Sequence, residues 1–110
     1  MKELVFKNAI DQIPIPHTYM FYPEKEVPEP PYFVWYFSET DNIGADDKVY
    51  VEVLIPVIEL YTRNKSFADE HKLEAVLNAC GFFWQKTTEY IDSEKMYMTI
   101  YELGEICDGE

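Results

Sequence analysis

Paired carboxylates, imidazoles and thiols are the groups in this 110-residue sequence that can do chemistry, and they are few. Asp46 and Asp47 stand together in GADDKVY, followed by Lys48 at the start of a long apolar run. Adjacent carboxylates beside a lysine are raw material for a metal shell or an acid–base pair, but acid–base work needs environments that push the two pKa values apart. Asp46 and Asp47 fall in turn sequence, where water solvates both charges, so the pair reads as the polar corner of a hairpin. His17 and His71 are the only imidazoles, and neither belongs to a recognisable arrangement of nucleophile, base and orienting group. In ADEHKLE, Glu70 and Glu74 lie one helical turn apart, a spacing that can hold an ion. The commoner outcome of that pattern is a solvated helix surface, with Lys72 relieving the repulsion. Cys80 and Cys107 form no CxxC or Cys/His spacing, which leaves free thiols rather than a zinc site or a disulfide framework. There is no GxGxxG or GxxxxGK[ST], and 4 glycines make a phosphate-cradling loop hard to build. The reading is a non-enzyme with no catalytic residue, no cofactor and no metal.

The elements that carry these residues can be placed by periodicity. Phe6, Ala9, Ile10 and Ile13 recur at helical spacing from Lys2 onward, and Pro14 and Pro16 end the pattern. His17 to Tyr22 suits an edge strand. YPEKEVPEPP, residues 22–31, is too rich in proline to join a ladder and reads as a projecting surface loop. YFVWYF at 32–37 is a strand, Ser38 to Asp47 supplies turn chemistry, and Lys48 to Thr62 returns as a long second strand. The apolar parity of that strand changes phase near Pro56, which has no ladder donor, so a bend or bulge is expected there. Ser66 is a helix N-cap with Asp69 three residues on, Leu73, Val76, Leu77 and Cys80 form the buried stripe, and Gly81 closes the helix. Two more strands, Phe82 to Ile91 and Lys95 to Leu103, flank the turn Asp92-Ser93-Glu94. In the last strand Met96, Met98 and Ile100 alternate with Tyr97, Thr99 and Tyr101, one set apolar and the other amphipathic.

This order predicts an α+β fold: an antiparallel, hairpin-built β-sheet of four to five strands with two α-helices packed on one face. The chain is the length of a single domain, with an N-terminal helix and proline-rich loop over 1–31, a sheet and helix core over 32–103, and an acidic tail over 104–110. Composition excludes some functions. A formal charge of -12 opposes binding to nucleic-acid backbones and to anionic membranes, since either needs a surplus of Lys and Arg. The N-terminal segment has charges within its apolar stretch and no small-residue cleavage site, and no run of apolar residues reaches membrane-spanning length, so a soluble, unexported product is expected.

Aromatic content is the positive signal. The chain holds 9 tyrosines and 7 phenylalanines, with many of the tyrosines on predicted strands. A sheet covered by helices on one side leaves its other face open, and rings with a polar tip suit a surface that is wet in the free chain and covered in an assembly. Tyr32, Tyr36, Tyr50, Tyr61, Tyr97 and Tyr101, with Asp46 and Asp47 at the hairpin tip, are the expected protein-interface residues.

PYFVWY, GADDKVY, IELYT, the Glu-rich helix, EYIDSEKMY and TIYE occur in that order over Pro30 to Glu102. This series resembles a family of small proteins encoded in the tail modules of siphophages and prophages of Gram-positive bacteria. Such proteins look like tail-completion or head–tail joining proteins, similar to the lambda tail terminator. The resemblance implies a ring, a hexamer in the assembled tail, that caps the tail tube and meets the head connector or stopper protein. It implies a location in the virion tail or head–tail junction, and in the host cytoplasm before assembly. The family often has an acidic residue after the IELYT threonine and then a lysine-rich turn, whereas Arg63-Asn64-Lys65-Ser66 stands here. A different reading of the acidic surface is a DNA mimic that inhibits a host protein, with acidic residues scattered from Glu24 to Glu110.

Overall fold

The computed structural model describes residues 2–40, 43–45, 48–104 and 106–108, with side chains over 4–38 and 54–104. Its chain order is α1 (Lys2–Ile10), β1 (His17–Tyr19), a 3-10 turn (Glu24–Glu26), β2 (Tyr32–Thr40), β3 (Ile43–Ala45), β4 (Lys48–Thr62), α2 (Phe67–Ala79), β5 (Trp84–Ile91), β6 (Met96–Leu103) and β7 (Ile106–Asp108). The main sheet runs β1-β2-β4-β6-β5, and β3 and β7 pair with the first half of β4. The expected α+β fold is present. Pairing is antiparallel except at β1, which lies parallel to β2 with His17 opposite Phe33. The proline-rich loop makes this possible by carrying the chain back along the sheet edge instead of through a tight hairpin.

β4 sets the long dimension. Its 15 residues extend about 50 Å at about 3.3 Å per residue, and the molecule measures 50 × 29 × 23 Å. An irregularity lies at Pro56, but on the partner strand rather than in β4 itself, where the bend or bulge was expected. Phe37 pairs with Pro56 and Glu39 with Ile55, so Ser38 is an extra residue on β2, a bulge opposite the position without a donor. The Ser38 hydroxyl donates to the Ile55 carbonyl at 3.4 Å.

Both helices cover the same face of the sheet. Phe6 and Ile10 of α1 and Leu73 and Leu77 of α2 join Phe33, Ile58, Leu60 and Tyr101 in one cluster, each fully buried. Phe6 is its aromatic hub, with its ring edge-on to Trp35 at 5.7 Å and to Phe82 at 5.4 Å. Ser66 caps α2 by accepting from the Asp69 amide at 3.2 Å. At the other end Gly81 has φ +79, with the Phe82 amide donating to Leu77 and the Gly81 amide to Asn78. These two bonds satisfy carbonyls of the last turn in the manner of a Schellman cap. Cys80, expected in the buried stripe, is exposed, because as the C-cap residue it has left the helical phase. Replacing Ser66 with alanine should cost about 1 kcal/mol, read as a lowered denaturant midpoint at an unchanged m-value.

Candidate functional site

Alternation along the paired strands divides the sheet into a helix-covered face and an open one. Strand register aligns Phe33, Leu60 and Thr99, then Trp35, Ile58 and Tyr101, on the covered side. On the open side it aligns Tyr32, Tyr61 and Met98, then Val34, Glu59 and Ile100, then Tyr36, Val57 and Glu102. In β6 the amphipathic set therefore goes inward, and Met96, Met98 and Ile100 stay half-buried on the open face. The polar atoms that go inward are satisfied there. The Tyr101 hydroxyl donates to Glu74 at 2.6 Å, and the Thr88 and Thr99 hydroxyls lie 3.3 Å apart.

Glu59 is the centre of the open face. Its carboxylate accepts from the Tyr36 hydroxyl at 2.5 Å and from the Tyr61 hydroxyl at 2.6 Å. Burial, then the bond to Glu59, then the charges of Glu59 and Glu102 push the Tyr36 phenol up to about 12. Burial and the same carboxylate raise Tyr61 as well. Both tyrosines are thus neutral donors at physiological pH, holding a negative charge on a face that no helix covers. Tyr32 stacks on Tyr61 with ring centroids 5.1 Å apart, and Tyr22 meets Tyr32 edge-on at 5.5 Å. The loop after β1 folds over this sheet edge, and a groove of about 350 Å³ opens between Met20, Phe21, Tyr22 and Val27 on one side and Val34, Glu59, Tyr61 and Glu94 on the other.

The expected interface residues do not all gather here. Tyr32, Tyr36 and Tyr61 do. Tyr97 shares the covered-face parity of Tyr101 and packs edge-on to Tyr90 at 5.0 Å. Tyr101 is fully buried beneath α2, so its ring belongs to the core rather than to the open face on which it was expected. Asp46 and Asp47 lie outside the described residues, as does the side chain of Tyr50. Glu59 was missed as a site residue, although a single carboxylate inside VLIPVIELY was its signal.

Glu70 and Glu74 correct a second expectation. They are not solvated: Glu70 is 1% and Glu74 8% exposed, packed against the sheet. Lys72 pairs instead with Asp69 at 3.7 Å. The Lys86 ammonium bridges both glutamates, at 2.9 Å to Glu70 and 2.6 Å to Glu74, and Lys65 closes on Glu70 from the other side. Burial acts to raise the Glu70 pKa, but hydrogen bonds from Lys65 and Lys86 and their charges outweigh it and hold the carboxyl below its ordinary value. This charge-compensated cluster ties α2 to β5 and β6. Among the described residues, no group of three or more His, Cys, Asp or Glu is placed to hold a metal ion, and no helix is long and apolar enough to cross a membrane.

These features define an α+β protein whose mixed sheet is covered by two helices on one side and bears a tyrosine–glutamate cluster on the other. No family model matches the sequence, and no curated protein does. Among solved structures, the chain is similar in fold to one in the virion of a native gene transfer agent (GTA) particle, with a TM-score of 0.57 and 13% identity over 96% of this chain and 85% of that one.

Proposed function

We propose that this chain is a non-enzymatic structural protein of a phage or prophage particle, a tail-completion protein that acts at the head–tail junction by forming a ring on the tail tube. The observation that carries this reading is a fold shared over 96% of the chain with a component of a GTA virion. The ordered motifs that resemble tail-module proteins support it, and so does the architecture. A closed ring needs two different complementary surfaces on each subunit, since its contacts are heterologous. The exposed loop from Met20 to Val27 offers a projecting element for such contacts, and the open face of the sheet offers a surface for another protein of the particle. In this role the partners are further copies of the chain in a hexamer, the tail-tube protein, and the head connector or stopper protein. The protein would reside in the host cytoplasm before assembly and at the head–tail junction of the virion after it.

Negative-stain microscopy of the purified chain, alone and mixed with tail-tube subunits, tests the ring. Closed rings or capped tube ends are expected. Particles that stay monomeric and bind no tube would overturn the proposal.

A further inference from the structure

The groove beside Glu59 has the chemistry of a receptor for a cation. Each Glu59 oxygen accepts one phenol proton and keeps a further acceptor site, so a guanidinium or ammonium can bind without displacing Tyr36 or Tyr61. Those hydroxyls fix the carboxylate in place, and charge-assisted bonds to a fixed carboxylate are the strong kind. Tyr61, stacked on Tyr32, lines the same groove, and an aromatic ring beside a carboxylate adds to the attraction for a cation. Glu94 adds a second carboxylate at the mouth. Outside it, Met20, Phe21 and Val27 are 48%, 69% and 46% exposed, an apolar rim of the kind that flanks a charged anchor at an interface. Among the described residues, no lysine or arginine forms an ion pair with Glu59 or Glu94.

We propose that this groove receives an arginine or lysine side chain, carried on an apolar segment of a different protein in the assembly. The inference rests on the reading of the chain as an assembly protein and names what one of its surfaces recognises. Charge decides between a second copy and another protein. The chain carries a formal charge of -12. Five of its nine basic residues, Lys7, Arg63, Lys65, Lys72 and Lys86, pair with its own carboxylates. A basic segment from elsewhere complements this face, whereas a second acidic copy is repelled by it.

The test uses the purified chain and a blocked tripeptide with arginine between two leucines, compared with the same peptide carrying citrulline, its neutral isostere. Binding is followed by NMR shifts of the Val34, Glu59 and Tyr61 amides. The arginine peptide should bind about tenfold more tightly than the citrulline peptide, and Glu59→Gln should remove most of that preference. Equal affinity of the two peptides for the unaltered chain, or shifts confined to other surfaces, would overturn the proposal, whether or not the variant folds. Self-association of the unaltered chain that disappears in Glu59→Gln would also overturn it, by assigning the groove to a second copy. The assay requires neither ring nor tube, so its failure leaves the tail-completion reading standing, and failure of that reading leaves this result interpretable.

Discussion

Phe6→Ala is expected to destabilise the fold by about 3–5 kcal/mol, the usual cost of emptying a fully buried aromatic site. Phe6 has no exposed surface, and its ring meets Trp35, Phe37 and Phe82, which come from β2 and from the segment after α2. Removing it opens a cavity at the point where α1, the sheet and the end of α2 converge. Since domains of this size are stable by only about 5–15 kcal/mol, the variant should be largely unfolded at moderate denaturant. Urea denaturation followed by tryptophan fluorescence measures this through Trp35. A midpoint that barely moves would mean that α1 is a detachable arm and not part of the core.

Lys86→Met should cost about 2–3 kcal/mol, less than the roughly 3–5 of a fully buried pair because the ammonium is partly solvated. The side chain of Lys86 is 30% exposed, whereas that of Glu70 is 2% and that of Glu74 11%. Without Lys86, Glu70 keeps Lys65 and Glu74 keeps only the Tyr101 hydroxyl, so two carboxylates one turn apart remain buried with one cation. The loss should depend on pH. Because the native pKa of Glu70 is depressed, its stabilising contribution is fully present above the ordinary value of 4.5 and is lost as pH falls through the lowered native value. Lys86→Met weakens that depression, so its acid-unfolding midpoint should move to higher pH. Circular dichroism of both proteins between neutral and acidic pH reads the shift directly. Coincident acid transitions would mean that Lys86 does not hold the Glu70 carboxyl below its ordinary value in the native state.

Local chemistry made much of this fold legible. The Ser66 cap, the Gly81 closure and the span of β4 from Lys48 to Thr62 are set by nearby residues, and the structure has all three. Pro56 marked the irregularity because a missing donor is visible in one residue type. Decisions taken by tertiary packing were less visible. Alternation in β6 was evident, but which set of side chains faces the helices depends on α2, whose Glu74 accepts the Tyr101 hydroxyl. An apolar reading of the core sends Met96, Met98 and Ile100 inward, yet the satisfied polar atoms of Tyr101 and Thr99 reverse it. The burial of Glu70 and Glu74 did have a signal. Positions 70, 73, 74 and 77 share one helical stripe, so these glutamates had to lie beside Leu73 and Leu77. The parallel placement of β1 had none, because the partner of a three-residue strand is chosen by the path of the loop that follows.

The candidate site divides in the same way. Strand parity alone puts Tyr32 with Tyr36 on β2 and Glu59 with Tyr61 on β4. Joining the two sets around Glu59 needed the register of β2 against β4, since Tyr36 and Glu59 are 23 positions apart in sequence.

The central claim is that this chain works by assembly at the end of a tail tube. Its most direct test is the length distribution of tubes assembled from tail-tube subunits with and without the purified chain, imaged by electron microscopy. The account predicts that adding the chain arrests elongation, so that tubes become short and carry a ring-shaped density at one end. Tubes of unchanged length with bare ends would contradict it.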